Sequence, residues 1–461
     1  MRLTSWWPQL SPQVWVLVAG RFLSQIGSGI VLFYVPIYFV NQMGLSPAQV
    51  GLGLSSAAIA SAVGFFLAGA MTDSPLWGRR RTLILSCIIS ILADGVFWFA
   101  QSLPLLIVAN VLMGLGDSLY WPASGAAIAD NSSGRQREEA YAVSGLADAL
   151  GSGLGIVLGG LLIATANSYR LLFVVDGVTF FAFLGVLTIM IKDTYTPSSK
   201  SSAHSSIKAW STALLNPMFL GFAIANILFT TYINLMESTL PLYLTNFVQS
   251  SSWISLTPET VGVLFSGYVL IVALSQMPTV RALQRYQRVS ILILSMTLWG
   301  IGFLLIWLVG LAPGWQLIFI LLAIATLAIA NVTYNPFAVA LVTELASQSS
   351  LGIYLSLNAQ CWAIGYFLGP LVGGWSLAQN ERIAHAFWVI VSLSTLVGIL
   401  ILKQLTRLQR KTVISTQGQL TDDNSAASNQ ASCNYASIAE VSYQGWSSAA
   451  INLELITSGF L

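Results

Sequence analysis

Six ionisable side chains fall inside long apolar runs: Arg21, Asp94, Asp117, Asp148, Asp176 and Glu237. A charge at bilayer depth is costly and is kept where it works. Five of the six are acidic, and a dehydrated carboxylate has two uses, reversible protonation and attraction of a cation. Asp117 lies mid-way along its run and is followed by Tyr120, Trp121 and Ser124. Glu237 shares a helical stripe with Thr230 and Asn234, and Gln25 and Gly29 lie on the matching stripe of the first run. Arg21 and Asp148 each sit about eight residues into their runs from the same side, roughly 12 Å at 1.5 Å per residue, so an ion pair is expected. Asp117, Glu237 and Asp148 are the proton-coupling candidates. Asp94 falls mid-run, and Asp176 lies two turns below a helix end, where hydration is expected.

Other chemistry is missing from the sequence. Cys87, Cys361 and Cys433 are scattered and odd in number, which makes neither a disulfide framework nor a metal site. His204 and His385 have no metal-ligand spacing around them. No nucleophile–base set appears, so no enzyme and no catalytic residue is expected, and no cofactor. No glycine-rich phosphate loop with Lys and Ser is present, so ATP is not the expected energy source.

The elements that must hold the six charges follow from composition. Of 461 residues, 56 % are hydrophobic and 8 % charged, and the mean hydropathy is +0.76. Soluble domains carry about a quarter charged residues. A soluble enzyme, a nucleic-acid binder and a disordered chain are therefore excluded, and a net charge of +2 adds no reason to expect nucleic acid. A span takes ~20 apolar residues. Runs bounded by Pro, Gly or charge predict twelve spans at 14–40, 48–71, 82–101, 104–129, 140–165, 170–191, 215–246, 259–281, 289–311, 315–343, 351–378 and 383–406. Sixteen Lys and Arg then fall on the side of the N-terminus, and Arg170 and Arg382 on the other. The positive-inside rule makes both termini cytoplasmic. The expected divisions are a six-helix bundle at 1–191, a Ser-rich cytoplasmic linker at 192–214, a second bundle at 215–406 and a disordered tail at 407–461.

The two halves repeat each other. LYWPASGAAIAD (119–130) matches TYNPFAVALVTE (333–344), 214 positions on. The same offset carries Gly151, Gly155 and Gly159 to Gly365, Gly369 and Gly373, and Asp117 to Asn331. VPIYFVN (35–41) returns as LPLYLTN (240–246), and LSPAQVG (45–51) as LTPETVG (256–262). Two six-helix halves related by an axis along the membrane normal are a transporter architecture, with a substrate site near the midplane between them. Gln25, Gly29, Tyr120, Trp121, Asn234, Asn331, Tyr334 and Asn335 are the expected cavity residues. The glycines, four apart on one face, permit close helix packing. They are also expected to form smooth faces on which the halves rock.

These residues carry a resemblance. GAMTDSPLWGRRR (69–81) is similar to the signature loop of the major facilitator superfamily through Gly69, Asp73, Gly78, Arg79 and Arg80. GSGLGIVLGG (151–160) resembles the glycine motif of its antiporter members, with Ile156 where proline is usual, and GYFLGPLVGG (365–374) keeps Pro370. YFVNQMGLSPAQVGL and MGLGDSLYWPAS look most like the multidrug-efflux branch. The resemblance implies an all-α membrane protein of twelve transmembrane helices in two pseudo-symmetric six-helix bundles. It implies a multi-pass protein of the plasma membrane, acting as a monomer on a small-molecule substrate and protons by alternating access. Proton-coupled export of amphipathic compounds is the leading expectation. A proton symporter or facilitator for a nutrient is the alternative within transport, and a non-transporting sensor or scaffold the alternative outside it. Asp73 and Asp130 with Arg79 and Arg80 are expected to form a cytoplasmic latch, mirrored by Glu344 with Arg281, Arg285 or Arg288.

Overall fold

The protein is described by a computed structural model covering residues 10–72, 74, 76–132, 135–191, 215–248, 255–312, 314–346 and 351–408. The linker at 192–214 and the tail beyond 408 lie outside the described residues, as does Asp73. Twelve long helices are present among those described: α1 Pro12–Asn41, α2 Pro47–Thr72, α3 Gly78–Phe99, α4 Leu103–Asp130, α5 Arg135–Ala166 and α6 Arg170–Met190 in the first half. The second half has α7 Pro217–Asn246, α8 Pro258–Leu283, α9 Arg288–Leu311, α10 Gln316–Leu345, α11 Leu351–Leu377 and α12 Glu381–Leu408. All but α11 are long and apolar enough to cross a membrane. Glycines and amides dilute α11, whose neighbours therefore matter more to it.

Helix starts show why these segments fold where they do. Four helices open on a capping side chain followed by proline, whose missing N–H costs nothing at that position. Ser11 Oγ accepts from Val14 N, and Asn216 Oδ1 from Met218 N at 3.0 Å. Ser46 Oγ accepts from Gln49 N while Gln49 Oε1 accepts from Ser46 N, a reciprocal capping box. Thr257 Oγ1 accepts from Thr260 N. These caps fall at repeat-related places, α1 with α7 and α2 with α8.

The described residues up to Lys403 pack as one compact unit. In the first half α1 packs on α5 and α6, α2 on α4, and α3 on α4 and α6. In the second, α7 packs on α11, α8 on α10, and α9 on α10. The halves meet chiefly through α2 against α11 and α5 against α8. The repeat exchanges these two pairings, as a pseudo-two-fold requires.

Odd-numbered helices start on the side of the N-terminus and linker, here the linker side; the opposite side is the distal side. Contacts between halves gather toward the distal side. Asn41 and Asn246, repeat mates at the ends of α1 and α7, exchange amide hydrogen bonds at 3.1 and 2.6 Å. Ser55 Oγ donates to the Phe367 carbonyl at 2.8 Å, and Ser266 Oγ to the Gly153 carbonyl at 3.2 Å. Phe33 and Phe265 meet edge to face at 5.0 Å. Toward the linker side, α5, α8 and α11 present exposed apolar side chains, among them Leu146, Leu150, Leu274, Met277 and Leu355.

The glycine stripes correct one expectation. A Cβ on Gly151 would lie 2.6 Å from the Phe22 carbonyl oxygen, one on Gly155 would overlap Ile26, and one on Gly159 would lie 2.6 Å from the Tyr34 ring. Gly365, Gly369 and Gly373 meet Thr230, Asn234 and Thr239 in the same way. Both stripes thus bind a helix of their own half, α1 to α5 and α7 to α11, and are not sliding faces between halves. Four-residue spacing of small residues reports close approach but not the neighbour. The close approaches between halves are made by other glycines: Gly51 and Gly374 with each other, Gly153 with Val269, and Gly262 with Tyr34.

Candidate functional site

The geometry of α7 centres on Glu237. Leu235–Thr239 is a single π-helical turn inside an otherwise α-helical segment. The extra residue changes which side chains face α11. Thr230, Asn234 and Thr239, spaced by four and then five, meet Gly365, Gly369 and Gly373, spaced by four and four. Ser238 would take the third place in an unbroken α-helix. With the face toward α11 filled in this way, Glu237 is left exposed and within electrostatic reach of Tyr268 on α8 and Tyr366 on α11. Tyr366 also senses Asp117 of α4. One carboxylate from each half therefore lies within electrostatic range of the same tyrosine. Asn331, the repeat mate of Asp117, donates its amide to Tyr268 Oη at 2.8 Å. Asp117 and Asn331 are both half-buried. Trp121 and its mate Asn335 are exposed. Gln25 is half-buried beside Gly151. Trp362 extends the aromatic wall, 6.0 Å from Tyr366 and 6.3 Å from Tyr334 between ring centres.

A second cluster lies around Arg21. Its Nε donates to Asp148 Oδ1 at 3.0 Å, and its Nη2 closes a second contact with Oδ2. Nη1 donates to Ser124 Oγ at 2.9 Å. The guanidinium lies 4.8 Å from the Trp121 ring centre and 5.9 Å from that of Tyr120. Arg21 and Asp148 side chains are 8 % and 18 % exposed, so the fork–fork pair is largely shielded from water.

Two further ion pairs sit at linker-side ends. Arg79 at the start of α3 holds Asp130 at the end of α4 at 2.9 Å. Arg288 at the start of α9 holds Glu344 at the end of α10. Asp130 and Glu344 are repeat mates, and each carries an adverse charge at a helix C-terminus that its arginine offsets. Arg80 joins neither pair; it donates to the Leu187 and Thr188 carbonyls of α6.

Several expected cavity residues are placed elsewhere. Gly29 is buried against the Ser152 backbone of α5, so it packs helices and does not line an opening. Asn234 is 3 % exposed and donates to the Thr230 carbonyl. Tyr334 is 1 % exposed and donates to Asn226 Oδ1, whose amide in turn donates to Asn358 Oδ1 at 3.0 Å. Tyr120 is 4 % exposed beside Ser24. Each faces a neighbouring helix, a rotation that apolar periodicity does not resolve. Asp176 is fully buried, out of reach of bulk solvent. Tyr268 and Tyr366 were not legible beforehand. Their repeat positions hold Ala57 and Ser152, so comparison of the halves gives no signal for them.

Among the described residues no group of three His, Cys, Asp or Glu could hold a metal ion. Cys87 and Cys361 are buried and free. His385 accepts or donates at Nδ1 to Tyr243 Oη at 2.7 Å and lies 3.7 Å from Glu381.

Comparison with known proteins places this geometry in context. The profile of the Major Facilitator Superfamily matches residues 17–257 and 245–456. A Na(+), Li(+), K(+)/H(+) antiporter of Planococcus maritimus is 25 % identical over 387 residues, 77 % of this chain and 87 % of the relative. The quinolone resistance protein NorA of Staphylococcus aureus is 23 % identical over 403 residues, 86 % of this chain and 97 % of NorA. Among solved structures, the nucleoside transporter NupG superposes with a TM-score of 0.73 at 14 % identity, covering 86 % of this chain and 99 % of that one. The peptide transporter POT in complex with sulfate gives 0.69 at 14 % identity, covering 86 % and 94 %. Both structural likenesses concern the fold.

Proposed function

Since the chain belongs to the Major Facilitator Superfamily, and so is a multi-pass secondary transporter, we propose that it exports small amphipathic, preferably cationic, organic compounds in exchange for protons. The reading rests on Asp117 and Glu237, one from each half, both lying within electrostatic range of Tyr366. A carboxyl in such a site holds a proton when dehydrated and a cationic cargo when ionised. The two occupants then compete, which is the logic of exchange. Trp121 and Trp362 supply flat apolar surface for an aromatic cargo.

The alternating step follows from the two ends. Distal contacts join the halves through Asn41 with Asn246 and Ser55 with α11. Facing helices expose apolar side chains toward the linker side. We take the linker side as cytoplasmic, because sixteen Lys and Arg fall there, and the plasma membrane as the location. The conformation is then open inward. The Arg79–Asp130 and Arg288–Glu344 pairs act as latches that rearrange when the cytoplasmic ends close. Arg21 with Asp148 orients Trp121 against the cavity and serves as the buried pair that a proton on Asp148 would open. The protein works as a monomer, since both carboxyls come from one chain. The names of the antiporter and of NorA favour exchange and efflux. The second reading is a proton symporter or facilitator for a nutrient; a partial match, 31 % over 157 residues, to a probable 4-methylmuconolactone transporter of Cupriavidus pinatubonensis keeps a small organic compound as its cargo.

Proteoliposomes decide between them. Under an imposed proton gradient, lipophilic cations should move against it, with matching proton flux lost in Asp117→Asn. Accumulation of organic anions with protons, and no cation movement, would replace exchange by symport.

A further inference from the structure

In the second half a chain of hydrogen bonds runs from the interior toward the cavity wall. Tyr334 on α10 is 1 % exposed, and its Oη lies 2.6 Å from Oδ1 of Asn226, a fully buried residue of α7. Asn226 Nδ2 donates to Asn358 Oδ1 on α11 at 3.0 Å. There the chain ends. Asn358 is half-buried, and its amide nitrogen has no partner among the described residues yet is not sealed in. Its place on α11 says where that nitrogen opens. Trp362 and Tyr366 follow Asn358 at steps of four, so the three share a stripe. Cys361 and Gly365 turn instead to α7, where Thr230 Oγ1 donates to the Cys361 carbonyl at 3.0 Å and packs against Gly365. Asn358 stands where the α7-facing side of α11 meets its aromatic face.

The buried end fixes the direction of the chain. A tyrosine hydroxyl has one hydrogen to give, and Asn226 Oδ1 is its acceptor among the described residues. Asn226 must then turn its oxygen to Tyr334 and its nitrogen to Asn358, and Asn358 answers with its oxygen. Turning the Asn358 amide over would set two N–H groups against each other and break a bond in a dry place. We propose that Asn358 is a specificity-determining residue of the transport cavity, a hydrogen-bond donor held in one orientation that selects cargo bearing an acceptor such as a carbonyl or ether oxygen. This rests on the proposed passage of small organic compounds along the stripe of Trp362 and Tyr366, and adds a second recognition point to it. The first half offers no such donor. Ser144, 214 positions before Asn358, is buried and donates to the Ala140 carbonyl. Tyr120, the mate of Tyr334, stands beside the charged Arg21. Asn358 lies two helical turns from Tyr366 toward the linker side, ~12 Å at 1.5 Å per residue. A cargo whose cation sits near Glu237 and Asp117 thus reaches Asn358 with an acceptor about that far along its length.

Titration calorimetry of the full chain in detergent, with matched probes, tests this. Each pair is an aryl ketone and the same molecule with a methylene in place of the carbonyl. The carbonyl lies about 12 Å from a quaternary ammonium in one pair, from a carboxylate in the second and from a methyl ether in the third. The wild type should bind a ketone about fivefold more tightly than its methylene partner, the worth of one net hydrogen bond. The ratio should fall below about twofold in Asn358→Leu, which removes the donor. Asn358→Asp keeps the shape but presents an acceptor, so it should abolish the preference as well, and it decides the matter if the leucine variant does not fold. Tyr334→Phe removes the group that orients the chain and should narrow the ratio without touching the cargo. A wild-type ratio near one, or a ratio that survives the changes at Asn358 while both partners weaken together, overturns the proposal. Binding by the carboxylate or ether pair alone would refute export of cations, while the ketone preference within that pair still decides the role of Asn358.

Discussion

Consider Asp148→Asn. The guanidinium of Arg21 would keep Ser124 as its hydrogen-bond acceptor and the rings of Trp121 and Tyr120 beneath it, but lose both carboxylate contacts. It would remain at 8 % exposure with its charge uncompensated. Breaking one side of a buried pair costs about 3–5 kcal/mol, against about 0–1 kcal/mol for a solvated one. The exposures of 8 % and 18 % put this pair near the buried case. In a chain of 461 residues each kcal/mol shifts the unfolding midpoint by about 1 °C, so a fall of roughly 3–5 °C is expected. Removing both charges, as Arg21→Leu with Asp148→Leu, replaces the pair with apolar volume and should recover most of that loss. The assay is thermal unfolding in one detergent of the wild type, the two single variants and the double variant, read as a double-mutant cycle. A fall under about 1 °C for Asp148→Asn, or additive single effects, would mean that water reaches the pair and the burial argument fails.

Other expectations are quicker to state. Gly155→Ala places a methyl group against the Ile26 backbone and should cost about 1–3 kcal/mol, whereas Gly145→Ala, with open space around it, should be neutral or stabilising by up to about 1 kcal/mol; thermal unfolding separates them. Glu344→Gln breaks a pair whose side chains are 38 % and 49 % exposed and should change stability by under about 1 kcal/mol; a larger loss would assign that pair a structural duty. Cysteines at positions 41 and 246 should cross-link under mild oxidant and stop turnover, with reductant restoring it; cross-linking that leaves transport intact would contradict the distal closure read from the asparagines.

Much of the scaffold was legible in the sequence because membrane spans are set by one variable, apolar length. Runs at 48–71 and 289–311 sit within a residue or so of Pro47–Thr72 and Arg288–Leu311. Depth was legible too: Arg21 and Asp148, equally far from the same side, meet. Rotation about a helix axis was not. Gly29, Asn234, Tyr120 and Tyr334 have the right depth for a cavity but face neighbouring helices, since a step of one residue turns a side chain by about 100°. The π turn at Leu235–Thr239 compounds this, because nothing in LMEST marks the added residue that shifts the register of the α11-facing side. The cavity tyrosines Tyr268 and Tyr366 escaped for another reason: the halves differ there, and a repeat reveals only what it has kept.

The asparagine pair that joins α1 to α7 has an electrical consequence. It is built from amides, so parting Asn41 from Asn246 separates no charge. The Arg79–Asp130 and Arg288–Glu344 pairs at the other end are each neutral. Moving one elementary charge across the membrane is worth about 2.3 kcal/mol per 100 mV. A voltage step therefore has little purchase on the opening and closing of either end. On the proposed exchange its leverage falls on the moments when Asp117 or Glu237 changes from acid to anion, so transient currents should track proton release and not gate movement.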